Sequence, residues 1–364
     1  MSHTLFLELL QVSLGTRKDL SRKPSVDEWF QMYDEARRHC VLGVCLEALS
    51  REGGRWADER GVPDEIKLRW VGRVEKIADE NRRLNSQCQQ LCDKLTRSGY
   101  WNCILKGQSL ARLYPHPQWR QSGDIDVWVA GNRRKLVEMT RRITGRREEV
   151  TYHHTDFCVF PDTPVELHFT PSWMFNPFLN HRMQRWFRKH QHAEQVGGFP
   201  VPTREFNAVF ILLHIFRHVF DEGVGLRQVV DYFYVLKDFT CLPDYNTMEE
   251  ISIFEDIAQL GLGSFARGLM WVMHEALAMP CGMMITEPDE IRGRWLLNEI
   301  MQGGNFGHYD KRNEGIYHNS ARMTRLRWRF CISLPRLRYF PLEALWEMPW
   351  RVWHFLWRWK NGYL

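Results

Sequence analysis

The apolar positions follow two periods along the chain, and the switches between them divide it into three stretches. Over the first hundred residues the spacing is helical. Ser25-Val26-Asp27-Glu28 is a helix start with acidic residues in its first turn, and Trp29, Met32, Tyr33 and Ala36 recur behind it at three- and four-residue steps. Gly53-Gly54 and Gly61-Val62-Pro63 mark a loop. The pattern then predicts one long helix over 64–97, with Leu84, Cys88, Leu91 and Leu95 as its apolar stripe and Ser98-Gly99 as its stop. Between about 100 and 170 the period becomes that of strands. Tyr100 to Leu105 is a short, mostly apolar run. Residues 124–129 begin with polar/apolar alternation, and 155–160 and 165–169 flank the turn Pro161-Asp162-Thr163-Pro164. Short helical pieces lie between, one ending at Tyr114 before the loop Pro115-His116-Pro117, the other over 136–143. The order strand, helix, strand, helix, strand, strand predicts a small α/β layer. From about 205 the helical period returns, in an apolar segment over 207–219, a turn at Gly223 and Gly225, and a helix over 226–236. Later helical segments are broken by Gly303-Gly304-Asn305-Phe306-Gly307. The predicted fold class is α+β, a small mixed sheet with helices flanked by N-terminal and C-terminal helical regions. The expected divisions are 1–62, 63–204 and 205–364.

Composition fits this picture. A chain of 364 residues makes two or three domains. Apolar residues at 44% and charged residues at 26% exclude disorder as the main state. The balance of 49 basic and 44 acidic side chains, +5, is too slight for a nucleic-acid partner without a basic stripe. The nine cysteines are odd in number, scattered, and form no C-x-x-C. They read as reduced core thiols of a cytoplasmic protein rather than a disulfide framework. Cys88 and Cys92 share a face of the long helix, where packing is favoured over a metal pair because no further Cys or His stands nearby. The N-terminal residues lack the basic region and cleavage site of a signal peptide, and no apolar run approaches the roughly 20 residues needed to span a bilayer.

The candidate chemistry centres on Asp124 and Asp126. On a strand, residues i and i+2 point to one face, about 7 Å apart along the backbone. Like charges at that range raise each other's pKa unless a cation lies between them, and hard carboxylate oxygens suit Mg²⁺. The bland alternative is an edge strand with a polar face. Three further features favour the cation. Glu166 alternates with Val165 and Leu167, shares a face with His168, and lies on a strand that would fit beside the first. Lys106-Gly107-Gln108-Ser109 follows a strand, where glycine lets backbone approach a ligand. Arg120, just ahead of the acidic strand, is of the type that neutralises phosphate oxygens.

Taken together, Ile104-Leu105-Lys106-Gly107, Leu113-Tyr114-Pro115, Arg120 and Gly123-Asp124-Ile125-Asp126-Val127 resemble the nucleotidyltransferase superfamily that includes DNA polymerase β. The closest likeness is to a bacterial branch, the uncharacterised nucleotidyltransferase family. Val165-Glu166-Leu167-His168 looks like that branch's third-carboxylate strand. Val201-Pro202-Thr203, His214, His218, Gly225-Leu226-Arg227-Gln228 and Asp231 are similar to its helical part, so the likeness covers about 25–240. The chain departs from the wider superfamily in having Gly107-Gln108-Ser109 for a Gly-Gly or Gly-Ser pair, a longer interval from Gly107 to Asp124, and Glu as third carboxylate. The resemblance implies a nucleotidyltransferase-type sheet and transfer of a nucleoside monophosphate from an NTP to a hydroxyl on a small molecule, a sugar or a protein, with release of pyrophosphate. Asp124, Asp126 and Glu166 would be the catalytic metal ligands for two Mg²⁺ ions, with Mn²⁺ as an alternative. Lys106, Gly107, Gln108, Ser109, Arg120 and Gly123 would bind the NTP. The competing reading is a catalytically inactive nucleotide-binding or membrane-surface module of the same fold.

Other signals are less specific. His214 and His218, four residues apart, suit either a metal pair or packing. The resemblance favours a helix lining the cleft, with His218 or Arg227 near the substrate and His168 and His214 as further cleft-lining candidates; Arg227 and Asp231, four residues apart, are expected to pair. The loop at Gly303 reads as a tight turn between helices or as a cap on the cleft. The tail holds Arg322, Arg325, Arg327, Trp328, Arg329, Arg336 and Arg338, and then Trp346, Trp350, Trp353, Trp357 and Trp359. Its Trp face is expected to dock on the protein itself, with peripheral membrane contact left open.

Overall fold

The computed structural model describes residues 2–240, 247–310, 312 and 335–363. Cys241, Arg322, Arg325, Arg327, Trp328, Arg329 and Cys331 lie outside them. The chain opens with five helices, α1 (Ser2–Leu14), α2 (Val26–Arg38), α3 (Leu42–Leu49), α4 (Arg55–Glu59) and α5 (Asp64–Arg97). Helix α2 starts as its sequence predicts. Ser25 Oγ accepts the Glu28 N–H at 3.3 Å, and the Glu28 carboxylate accepts the Ser25 N–H at 2.8 Å. Helix α5 buries one residue in every three or four, from Ile66 to Leu95. Its first half joins the large helical core through Ile66, Trp70 and Val74, and its second half lies under the sheet through Leu84, Cys88 and Leu91.

The α/β layer follows as β1 (Asn102–Ile104), α6 (Gln108–Ala111), β2 (Ile125–Val129), α7 (Arg133–Thr144), β3 (His154–Asp156) and β4 (Val165–His168). Strand order is β1-β2-β4-β3, with β2 and β4 parallel and the other two pairs antiparallel. Alternation sorts the faces. Ile104, Ile125, Val127, Val165 and Leu167 cover α5, while Asp126, Glu166 and His168 share the other face.

The rest is α8 (Pro177–Lys189), β5 (Ala193–Val196), β6 (Phe199–Pro202), α9 (Arg204–Asp221), α10 (Leu226–Thr240), α11 (Thr247–Gln259), α12 (Gly263–Leu277), α13 (Glu290–Gly303) and α14 (Pro341–Lys360). The β5–β6 hairpin is absent from the sequence reading. Gly197-Gly198, both at positive φ, form its turn, and Phe199 and Val201 add to the core under the sheet. The N- and C-terminal helices share one core. Gln11 Nε2 donates to the Glu275 and Ala276 carbonyls at 3.3 Å, and Thr16 Oγ1 donates to the Leu277 carbonyl at 2.6 Å.

The thiols divide. Cys45, Cys88, Cys92 and Cys103 are buried, Cys40 is half-buried, and Cys158 and Cys281 are exposed, so not all are core residues as expected. Burial pushes the Cys88 and Cys92 thiols up, which suits packing. Among the described residues no helix is long and apolar enough to cross a membrane.

Candidate functional site

The register of β2 and β4 places Asp126 opposite Glu166, so their side chains stand side by side on the sheet's polar face. His168, two residues on from Glu166, joins them: its Nε2 is 2.9 Å from Asp126 Oδ1 and 3.2 Å from Glu166 Oε2. Beyond β1, the Leu105 N–H donates to the Asp126 carbonyl at 2.9 Å. That bond brings Lys106 over the same acid, with Nζ 3.1 Å from Asp126 Oδ1 and 4.0 Å from Asp124 Oδ2. Gly107 then turns the chain at φ +59° and ψ −115°, a conformation glycine adopts without strain. From β3, His154 Nδ1 reaches Glu166 Oε2 at 3.4 Å and His153 Nε2 at 2.9 Å.

These contacts fix the protonation states. Burial opposes the charge on His168, but hydrogen bonds to Asp126 and Glu166 outweigh it and push its pKa up to about 9. Burial likewise works against Lys106, and Asp126, Asp124 and Glu166 together hold it above its ordinary value. Glu166 is pulled well below the usual carboxylate range, against burial, by His168 and Lys106. Burial takes His154 down to about 4, with Glu166 opposing, and puts His153 and His214 well below 6.5. The site thus combines three carboxylates, two cations and three neutral imidazoles.

The ligand atoms of Asp126, Glu166 and His168 lie within 4.8 Å of one another, and so do those of His153, His154 and His168. Asp126 is 2% exposed, and its Oδ2 is buried with no hydrogen-bond partner. Asp124, which precedes β2, is half exposed and outside both groups. Of the three expected carboxylates the structure therefore gathers two, and it adds His168 as a neighbour at ligand distance.

Lys106, Asp124, His153, His154, Glu166 and His168 floor a cavity of about 610 Å³, with Asp126 buried behind them. Helix α9 supplies His214, Arg217 and His218, the turn after α13 supplies Phe306, and α14 supplies Trp350, Arg351 and His354. His153, His154, Trp173, Arg217 and the α14 residues were not expected at the site. The adjacent His153-His154 pair beside a strand was the available signal; nothing local in the sequence marks α14 as a wall. The Gly303 loop is both a turn and a cover. Asn305–Gly307 form a 3₁₀ turn, and the Phe306 ring lies 5.0 Å from that of His218.

The remaining candidates fall elsewhere. The Gln108 side chain is buried and donates to Asn85 Oδ1 on α5 at 2.8 Å, and Ser109 is fully buried. The Gln108 side chain thus faces α5, while Gly107 and Gly123 line a smaller pocket beside Lys106. Arg120 is also buried. Its Nε and Nη2 each donate to Asp231 at 2.7 Å, Nη1 donates to Ser122 Oγ at 2.7 Å, and Tyr114 OH donates to Asp231 Oδ1 at 2.6 Å. This replaces the expected Arg227–Asp231 pair, because the planar fork of Arg120 engages both carboxylate oxygens at once. Arg227 instead donates to the Gln121 carbonyl at 2.9 Å and lies over the Phe306 ring. The Trp stripe of the tail straddles two environments: Trp350 stacks on Trp173 at 5.6 Å, while Trp346 and Trp353 are exposed.

The family described as uncharacterised nucleotidyltransferase matches residues 25–278. No curated protein matches the sequence. One solved structure, a crystal structure of an antigenic nucleotidyltransferase-like protein from Paracoccidioides brasiliensis, is 15% identical and covers 55% of this chain and 95% of that one, with a TM-score of 0.30. At that score no argument rests on it.

Proposed function

This chain belongs to the uncharacterised nucleotidyltransferase family, and from that membership we propose that it moves a nucleoside monophosphate from an NTP to a hydroxyl acceptor on a small molecule, a sugar or a protein. The observation that carries the reading is the Asp126–Glu166 pair, in register on parallel neighbours, with Glu166 lining the cavity and Asp126 buried beside it. The donor set fits a divalent ion. Two carboxylates converge, and the buried, partnerless Asp126 Oδ2 is an acceptor that a cation would satisfy. Asp126 and Glu166 would hold it, with the His168 imidazolium keeping both carboxylates in place, and Asp124, which lines the same cavity, would face the phosphates. When bound, Mg²⁺ or Mn²⁺ supplies positive charge against the phosphate oxygens.

The acceptor oxygen forms a bond to the α-phosphorus, the bond to the bridging oxygen breaks, and pyrophosphate leaves. Lys106 keeps a positive charge on the floor where that charge develops. Glu166, held ionised, accepts a hydrogen bond from the acceptor hydroxyl and orients it. The hydroxyl proton passes to solvent in the cavity, because His154, taken down to about 4 by burial, is too weak a base to hold it.

Calorimetric titration with each of the four NTPs, with and without Mg²⁺, tests this. We expect Mg²⁺-dependent binding that Asp126→Asn and Glu166→Gln abolish, and pyrophosphate release once an acceptor is supplied. Folded protein that binds no NTP would refute the transferase. One observation favours a catalytically inactive binding module: Lys106 and His168 already contact Asp126 Oδ1 at 3.1 and 2.9 Å. NTP binding indifferent to Mg²⁺ would support that reading.

A further inference from the structure

Helix α14 lies beyond the family match and is packed inside out. A helix on a water-soluble protein normally turns its apolar stripe to the core and its charges to solvent. Here Glu343 and Glu347 are each 2% exposed. Glu343 accepts the Asn176 N–H at 3.1 Å, the Phe175 N–H, and Arg217 Nη1 at 3.1 Å. Arg351 bridges Glu347 at 3.0 Å and Asp221 at 2.8 Å. The opposite side carries Leu342, Leu345, Val352, Trp353, Leu356 and Trp359, which recur at helical spacing with no charged residue on that face until Lys360 at the helix end. All six are exposed, Leu345 at 64% and Trp359 at 70%.

The C-terminal end of this stripe abuts a basic patch. Residues 133–149 contain seven basic and three acidic side chains, a net of +4. Arg134, Lys135, Arg142, Arg146 and Arg147 are exposed, and Arg147 donates to the Gly362 carbonyl just past α14.

We propose that α14 and the α7 patch form a surface that binds an anionic phospholipid bilayer. The helix lies in the interface plane with its stripe among the acyl chains, Trp353 and Trp359 sit at headgroup level, and the patch meets the lipid charge. The inner face stays on the protein as a wall of the cavity, so the same helix holds the site at the bilayer. A second copy of the chain suits the stripe less well, because a two-fold contact through it would bring two +4 patches together.

Flotation of the full chain with vesicles of phosphatidylcholine, alone or mixed with phosphatidylglycerol, tests the proposal. The expected result is binding to the anionic vesicles and binding about tenfold weaker to the neutral ones. Leu345→Ser/Leu356→Ser/Trp359→Ser, all at exposed positions, should abolish binding without moving the melting temperature. Arg146→Glu/Arg147→Glu should weaken it about tenfold and remove its salt dependence. The proposal is overturned by wild-type protein that does not float, by a triple variant that floats equally well, or by a dimer that the triple variant converts to monomer without any vesicle binding.

Discussion

Removing one partner of the Arg120–Asp231 pair should unfold the loop that carries Asp124 rather than weaken phosphate binding directly. Arg120 is 4% exposed and Asp231 5%, and four short hydrogen bonds join Arg120, Asp231, Tyr114 and Ser122. At an effective dielectric of about 20, two unit charges ~4 Å apart attract by about 4 kcal/mol. The free pair does not gain that much, because both charges are buried. Breaking it leaves one charge buried and uncompensated, which costs about 3–5 kcal/mol. Asp231→Asn also turns an acceptor of three hydrogen bonds into a weaker one, so it should fall in that range, as should Arg120→Met. The double variant Arg120→Met/Asp231→Asn should lose less than either single change, because no lone charge remains. Urea denaturation midpoints of the four proteins measure the cycle. If Arg120→Met lowers stability by less than about 1 kcal/mol and yet abolishes Mg²⁺–NTP binding, the structural reading is wrong and Arg120 contacts phosphate.

Three other perturbations follow from the same geometry. In chelator, stability should peak near pH 6.5. Below it, His153, His154 and His214, with pKa values lowered by burial, refuse protons that the unfolded chain accepts; above it, His168 keeps until about pH 9 a proton that the unfolded chain has released. Asp156, raised to about 6 by burial, partly offsets the acid limb. Melting curves from pH 4.5 to 9 check this, and a flat profile refutes the assigned protonation states. Gly107→Ala must hold φ +59° with a Cβ, which should cost about 1–3 kcal/mol and displace Lys106, read as reduced NTP affinity with the fold intact by circular dichroism. Gly225→Ala would bring its Cβ within 2.9 Å of Asn305 Cα, so the Phe306 turn should move, at a cost of about 1–3 kcal/mol and with faster proteolysis of 303–309.

What the sequence discloses depends on whether the signal is local. The long helix over 64–97 was legible to the residue because its apolar stripe and its stop lie within one segment. The strand at 102–104 is legible from a short apolar run, and those at 125–129 and 165–168 from alternation. The Gly-Gly turn at 197–198 closes a hairpin that periodicity does not disclose, because strand β5, Ala193-Glu194-Gln195-Val196, does not alternate apolar and polar residues. Pairings between distant segments were not legible. Spacing on one helix suggested Arg227 for Asp231, but the partner came from a loop more than a hundred residues away. The same limit hid the α14 wall, since nothing in Trp350 or His354 announces that helix's place across the cavity from the sheet.

Register explains why the acidic strand differs from its spacing-based reading. Alternation puts Asp124 and Asp126 on one side, but β2 begins only at Ile125, and Asp124 lies on the approach to the strand, half exposed. Parallel pairing with β4 gives Asp126 a carboxylate neighbour that is forty residues away in sequence and directly adjacent in space. Two buried acids at that range cannot both stay ionised without a cation. The fold supplies two, Lys106 from the turn after β1 and His168 from β4 itself. On the proposed reading, a divalent ion arriving with a triphosphate would meet carboxylates whose charge is already partly offset. It would bind through Asp126 Oδ2, which has no partner, while Lys106 and His168 stay on Oδ1. Ion and nucleotide would then reinforce each other at this site, which is the behaviour expected where donor binding and metal binding are one event.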